Sequence, residues 1–466
     1  MAVEIKLKQS FKNLFFNFLD FYINIFRLNT RNNLIDKRDK VIWLAETGSR
    51  DFLPRFAQAI SLWNEYQIPS LIIHKHYLKK IDKKILKNSV VIDKSATLSC
   101  IRRLRYSKLN GAVNFVIPEE LLLCDNSQSL IEGSLHPKTL NYVDYVLSTS
   151  ESVSKYLRNI KKGITLIKSI NPRLNTILIW KNCKSILINN NKFDNLLNQK
   201  YILINDKLSL KFSTYKNEIS LLRNDIFKST SIDSDKYVND FLEEEENKEF
   251  LLIELIKSIR KQKEFDDLKI VIRPHPAVDL KKFELYFKKK LKNYHNYIII
   301  RDGTAIEWMD NAEIIFHNNC TTAIEGYYGG LKNIFNIASN YSEGITNEFK
   351  HILIPLGVEG AVYSARERYI KYKKNIPRDL LKINQNENNL YHFLGKKMKK
   401  FNDKNIIDYK LESKFKSSYF KDFSIKDRWQ DAENRIDFIK KNKVIFNDLL
   451  IRSIGKVGLS VGLFSN

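Results

Sequence analysis

Cysteine is scarce: the chain has 466 residues and four cysteines, Cys100, Cys124, Cys183 and Cys320. Their spacing fits no zinc site and no disulfide framework, so reduced thiols in a cytoplasmic protein are expected. No group of residues has the spacing of a metal site. Acidic charge is in deficit as well. Lys+Arg number 78 against 53 Asp+Glu, a net charge of +25. Such an excess favours an anionic partner. The basic residues are spread along the whole chain without an arginine-rich block, which argues against nucleic acid as that partner. There is no internal repeat and no low-complexity tract.

Long uninterrupted apolar runs are also missing. The strongest, residues 11–28, is broken by Lys12, Asn13, Asn17, Asp20 and Asn24, so it does not read as a bilayer span. No small-residue cleavage site follows it. Residues 1–30 are expected to be an amphipathic helix, with two readings open: packing on the protein's own core, or lying on the inner face of the cytoplasmic membrane.

What is present is an alternation. "KVIWLAET" reads as a buried strand and "DFLPRFAQAISLWNEYQ" as a helix. "PSLIIHK", "SVVID", "AVNFVIPEE" and "YVDYVLSTS" continue the strands, with helices between them. A polar stretch from about Lys181 to Lys200 marks a boundary. A second series follows: "KYILINDKLSL", a long helix near 233–262, "LKIVIRPHP", "YIIIRDG", "EIIFHNN" and "KNIFNIAS". The pattern predicts an α/β chain with two doubly wound, Rossmann-type domains facing a cleft. The expected limits are 31–185 and 200–375, with a helical C-terminal tail at 376–466. Ligands of such folds bind just past the carboxyl ends of parallel strands, so those positions hold the candidates.

Proline is rare too, nine in all, yet two flank one histidine in "RPHP". Each fixes its own φ and pushes the preceding residue out of the helical region. His275 is therefore expected to be extended at a strand end, between Arg273 and Pro276, with a helix capped by Asp279 close by. That arrangement suits a phosphate, and a structural hydrogen bond from His275 is the plainer alternative. In "HNNCTTAIEG", Asn319 lies in a turn and Thr321 and Thr322 open a helix. Glu325 shares their face, so threonines could hold phosphate while the carboxylate takes ribose hydroxyls. Thr322 and Glu325 also fit a capping box. Gly48, Ser49 and Arg50 in "ETGSRD", beside Glu46, occupy the usual ligand loop of the first half, although a helix cap at Ser49 explains the stretch nearly as well. Glu119 and Glu120 end a strand and, with Glu46, are candidates for proton transfer. Asn171 and Arg173 in "NPRLN" form a turn from which Arg173 would meet the ligand or bridge the domains.

Seven segments, "ETGSRD", "VVIDKSA", "PEELL", "NPRLN", "ILIND", "IRPHP" and "IFHNNCTTAIEG", occur in order over roughly residues 40–340. Together they resemble the bacterial surface carbohydrate biosynthesis protein family. That family is related to capsule-type transferases of the GT-B fold that use CMP-activated Kdo or sialic acid. The resemblance implies a glycosyltransferase of surface polysaccharide biosynthesis. It would take a nucleotide-sugar donor, CMP-linked, and a glycan or lipid-linked acceptor, with no further cofactor. It implies that His275 and Pro276 grip the nucleotide phosphate, that Thr321, Thr322 and Glu325 complete the nucleotide site, and that a carboxylate near 119 is the general base. The family's acid-acid-glycine pattern is altered here. Pro118 stands where an acid is expected and Leu121 where a glycine is. Glu119 and Glu120 therefore stay joint candidates. Two other functions remain open: polyol phosphate transfer from CDP-glycerol, with His317 as a second histidine, and a non-catalytic subunit of polysaccharide assembly.

Overall fold

The computed structural model describes residues 35–46, 48–122, 128–148, 150–160, 163–169, 171–174, 196, 199–206, 212, 234–275, 278–341, 349–372, 390–398, 432–433, 435–437, 451–453 and 458–461. The helix expected over 1–30, Thr47, Pro276, Cys124 and Cys183 lie outside these residues, as do the side chains of Ser49 and Glu120.

Apolar β-branched segments form two separate sheets, and each is doubly wound. The first contains β1 Lys40–Ala45, β2 Ser70–His74, β3 Ser89–Asp93, β4 Val113–Val116, β5 Tyr145–Ser148 and β6 Thr165–Lys168. Its parallel order is β2-β1-β3-β4-β5-β6. The second contains β7 Tyr201–Asn205, β8 Lys269–Arg273, β9 Tyr297–Ile299, β10 Ile314–His317 and β11 Ile334–Asn336, in the parallel order β11-β10-β7-β8-β9. Parallel strands must be covered on both faces, which is why β1, β2, β3 and β7 are buried along their whole length. Strand β6, in "GITLIKSI", carries no sharp signal and sits at the exposed end of its sheet.

The stretch 376–466 contains the helix Leu390–Lys397 and two strands that composition did not foresee, β12 Ile451–Ser453 and β13 Gly458–Val461. Strand β13 pairs antiparallel with β2, Val461 opposite Ser70, and so extends the first sheet. The helix Leu390–Lys397 packs on the helix Leu53–Tyr66, where Gly395 lies under the Tyr66 ring with no room for a Cβ.

The two sheets share one apolar cluster. It joins Trp43, Phe52 and Phe56 to Tyr201, Trp308 and Met309, and Ala432 and Ile436 of the C-terminal stretch close it. Among the described residues no helix is long and apolar enough to cross a membrane.

Candidate functional site

Each sheet reverses its strand order once, and a crevice opens at the carboxyl ends there. In the second sheet the reversal lies between β7 and β10. Asn205 and His317 are register partners at the ends of these strands. Arg273 pairs with Asn205 on one side and Asn336 with His317 on the other, so four strand ends form one row.

The helix Thr321–Tyr328 starts directly above this row. Its N-cap is Cys320, extended at φ −96° and ψ 141°, and no side chain caps it. Thr321 and Thr322 are the first helical residues, so their N–H groups have no carbonyl ahead of them in the helix. The capping box read from Thr322 and Glu325 does not form, because Thr322 lies inside the helix. Its hydroxyl instead accepts from Asn205 Nδ2 at 3.2 Å and approaches Cys320 Sγ at 3.2 Å. The strand end and the helix start are thereby fixed to each other.

The cavity beside this helix start is lined from the second half by Asn205, Asp206, Arg273, Pro274, His275, Thr304, Thr321, Thr322 and Glu325. From the first half it receives Arg50, Leu53, Pro54 and Arg173. The structure therefore brings "RPHP", "CTTAIE", "NPRLN" and Arg50 of "ETGSRD" to one cleft between the sheets.

Within it the roles differ from residue to residue. His275 is half-buried and faces the cavity, and its carbonyl accepts from Val278 N at 3.0 Å. The Arg273 guanidinium is buried and donates to the carbonyls of Arg301 at 3.1 Å and Gly303 at 2.5 Å. Gly303 has φ +76°, so this turn favours glycine. Arg273 thus shapes the wall of the cleft as well as lining it. Asn319 is at φ 44° and is held by Asn336, which accepts from its N–H at 3.1 Å and donates to its Oδ1 at 2.8 Å. Asn319 is a support of the turn and does not line the cavity.

Arg173 bridges the halves. It forms a buried ion pair with Glu325, and its N–H donates to Asn171 Oδ1 at 3.0 Å. Glu325, expected to face ribose hydroxyls, gives one oxygen to this pair.

His317 is 1% exposed. Its Nδ1 accepts from Cys320 N at 3.3 Å, and Nε2 meets no hydrogen-bond partner. Burial lowers its pKa to about 3, so it is a neutral prop beneath the helix start. It is not among the residues that line the cleft, which agrees with a structural histidine and takes away the second histidine that polyol phosphate transfer would use.

The base candidates are also corrected. Glu119 is 2% exposed and pairs with fully buried Arg55 at 2.5 Å, away from the cavity. Glu46 is clasped by Lys75 at 2.5 Å and by Lys94. Burial pushes its carboxyl up, but the two lysines outweigh it and hold Glu46 well below the usual carboxylate range. A carboxylate so stabilised is a weak proton acceptor.

The loop that follows Glu46 is organised by Asp51, which sequence reasoning passed over. Asp51 accepts from Glu46 N at 2.9 Å and from Arg50 Nε at 3.0 Å. Burial opposes its ionisation, and Arg50, Lys94 and Arg55 reverse that and keep it charged. Asp206 and Thr304 were missed as well. Asp206 stands one residue past β7 in "ILIND", the very position at which ligands are expected. Among the described residues no three His, Cys, Asp or Glu side chains group as metal ligands.

No family model matches the chain, and no curated protein matches it. Solved structures do. S. aureus MnaA with UDP is 13% identical, with a TM-score of 0.44, over 78% of this chain and 93% of that one. UDP-GlcNAc 2-epimerase from Methanocaldococcus jannaschii is 14% identical, with a TM-score of 0.45, over 73% and 94%. A UDP-N-acetylglucosamine 2-epimerase from Listeria monocytogenes is 12% identical, with a TM-score of 0.45, over 77% and 94%.

Proposed function

We propose that the chain is a nucleotide-sugar-dependent transferase of surface polysaccharide biosynthesis, with the nucleotide held by its second sheet. The observation that carries this reading is the start of the helix Thr321–Tyr328, at the strand-order reversal and across the cavity from His275. Two helix amides with no carbonyl ahead of them, the Thr321 hydroxyl, an imidazole and, once it turns from Cys320 Sγ, the Thr322 hydroxyl form a donor set for a phosphate, and the helix dipole adds to it. As the bond to the leaving nucleotide breaks, negative charge grows on the phosphate. Donors already in place stabilise that charge without reorganising. Arg173 and Arg50 supply cations from the opposite wall.

The carboxylates that line the cavity are Asp206 and Glu325. Arg173 holds Glu325, and Asp206, one residue past the end of β7, is the group we place to take a proton from an acceptor hydroxyl. The space between the walls is about 110 Å³. Small-molecule sites begin at roughly 300 Å³, so the donor enters by opening the cleft. A CMP-linked donor, and an ulosonic acid as its sugar, form the finer part of the proposal and rest on the sequence motifs.

A second reading has its own observation. Glu46 and Glu119 are both engaged in ion pairs, which is what a nucleotide-binding subunit without transferase activity would show. Polyol phosphate transfer loses support because His317 is walled off.

Calorimetric titration of CMP, CDP, UDP and GDP into wild type and His275→Ala tests the reading. Selective CMP binding that is lost in the variant supports it. Preference for another nucleotide keeps the site and changes the donor. No binding to folded protein rejects a nucleotide-dependent function altogether.

A further inference from the structure

Strand β11 is the outer strand of the second sheet, and a groove of about 730 Å³ lies between it and the helix Gly357–Lys371. That volume falls within the roughly 300–1,000 Å³ of small-molecule sites. The groove is separate from the cleft, and no residue lines both. Its floor includes buried Leu331 and Phe335. Its outer wall is the segment 351–356, in which residues alternate. Leu353 is buried in the core, while Ile352, Ile354 and Leu356 line the groove. Ile354 is 51% and Leu356 37% exposed. Asn336 pins this wall in place. Its Nδ2 donates to the Leu353 carbonyl at 2.8 Å, and its carbonyl accepts from Leu356 N at 3.1 Å. A fixed aliphatic wall left half open to water marks a surface that something covers.

The two ends of the groove differ. Gly357 N donates to the Ala338 carbonyl at 2.9 Å, and Arg368 donates to the Lys332 carbonyl, so the helix runs antiparallel to β11. Leu356 therefore stands at one end, and Lys332, Arg368 and Lys371 at the other. Arg368 lies over the Phe335 ring at 5.3 Å, and Lys371 over the Tyr372 ring at 5.9 Å. The carboxylate among the described lining residues is Glu367, which pairs with Arg366 at 3.2 Å. Arg368 and Lys371 thus set the charge of this end. Basic residues suit any helix C-terminus, but that does not account for the aliphatic wall facing them.

Other occupants fit poorly. Asn333 and Ile337 bond to β10, so Lys332, Ile334 and Asn336 turn their backbone outward. The carbonyls of Lys332 and Asn336 are already bonded, by Arg368 and Leu356, which blunts this edge towards a peptide strand. A sugar needs several neutral donors and acceptors, and the wall of Ile352, Ile354 and Leu356 offers none. We propose that the groove binds a single-chain lipid phosphate, with the chain along Ile354 and Leu356 and the phosphate at Arg368 and Lys371. Covering the wall supplies the apolar part of the affinity, and charge-assisted hydrogen bonds hold the head. Asn336 joins this groove to the cleft, because its Oδ1 accepts from Asn319 N at 3.1 Å in the turn before the helix Thr321–Tyr328. The site does not rest on the transferase reading.

The test is calorimetric titration of octyl phosphate, below its micelle concentration, into the full chain. Inorganic phosphate serves as the head alone and octyl glucoside as the chain alone. Octyl phosphate is expected to bind about tenfold more tightly than either. Arg368→Gln and Lys371→Gln should each weaken it roughly two- to fivefold, and Ile354→Asp, at an exposed position, should abolish it. Thr321→Val/Thr322→Val should leave it unchanged, which separates the groove from the cleft. Arg368→Glu/Lys371→Glu should lose octyl phosphate and gain octyltrimethylammonium, a gain that cannot come from misfolding. Absence of octyl phosphate binding overturns the proposal, as does equal binding of inorganic phosphate or octyl glucoside. So does binding that is lost in the threonine variant, is kept in Ile354→Asp, or still prefers phosphate in the charge-reversed variant. A wild type that sediments as a dimer while Ile354→Asp sediments as a monomer also overturns it, since a second copy then covers the groove.

Discussion

The two strand-order reversals occupy the same place in similar sheets and are furnished in opposite ways. The first is filled with full charges that largely cancel: Glu46 with Lys75 and Lys94, Asp93 with Arg103, Asp51 with Arg50. The second has neutral groups at the strand end and helix start, Asn205, Cys320, Thr321 and Thr322, and keeps its charges, Arg273, Asp206 and the Arg173–Glu325 pair, in the walls around them. A neutral site offers oriented dipoles and pays little desolvation while empty. A charged site must carry internal counterions, and its carboxylates compete with any anion that arrives.

The largest expected effect that would break this contrast comes from the charged side. Glu119→Leu leaves Arg55 buried without its partner and should cost about 3–5 kcal/mol. Arg55→Met/Glu119→Leu should recover most of that. Chemical denaturation of the single and double variants measures both. A small loss in the single variant would mean that the ion pair is not desolvated and that the contrast is overstated.

Acid should affect both sides through their histidines. His74 and His317 titrate at about 3 when folded, against about 6.5 in an unfolded chain. The unfolded state therefore binds more protons below pH 6.5, and stability falls as pH drops through the window from 6.5 to about 3. Each group contributes up to about 1.4 kcal/mol per pH unit, or about 2 kcal/mol lost by pH 5. His317→Asn should flatten that slope, as shown by denaturation at pH 5 and pH 7.5. An unchanged slope would remove His317 from the account.

Thr322→Val tests the dipolar side more gently. It removes the acceptor of the Asn205 amide and one ligand donor, at about 1 kcal/mol, or roughly fivefold in nucleotide affinity. Calorimetry reads the affinity. The smallest effect belongs to an exposed pair far from either site. Arg158→Ala breaks its contact with Glu151 at 3.1 Å and should change stability by less than about 0.5 kcal/mol.

Much of this was legible in the sequence because it is local. Alternating apolar runs and helical spacing mark β1 to β5 and β7 to β11, since burial of both sheet faces dictates composition within a few residues. "RPHP" and "CTTAIE" each hold a strand end or a helix start within one short segment, so their place at the reversal could be anticipated. What was not legible depends on partners far away along the chain. Nothing near Glu119 announces Arg55, and nothing near Glu325 announces Arg173. His317 read as a structural residue from its own segment, and packing buries it. Asp206 was missed although it sits where ligands are expected, because a lone acid after a strand has no local signature. Strands β12 and β13 are too short for periodicity to speak, and β2, the partner of β13, lies near the other end of the chain.

That last pairing sets a schedule for biosynthesis. Strand β2 ends at His74, and the strand that completes its outer edge begins at Gly458. At about 5–20 residues per second, a ribosome needs roughly 20–75 s to make the intervening chain. During that interval the first sheet offers an unpaired row of backbone donors and acceptors to any strand nearby. The nascent protein therefore has a window in which a chaperone, or a neighbouring nascent chain, can take the place reserved for β13.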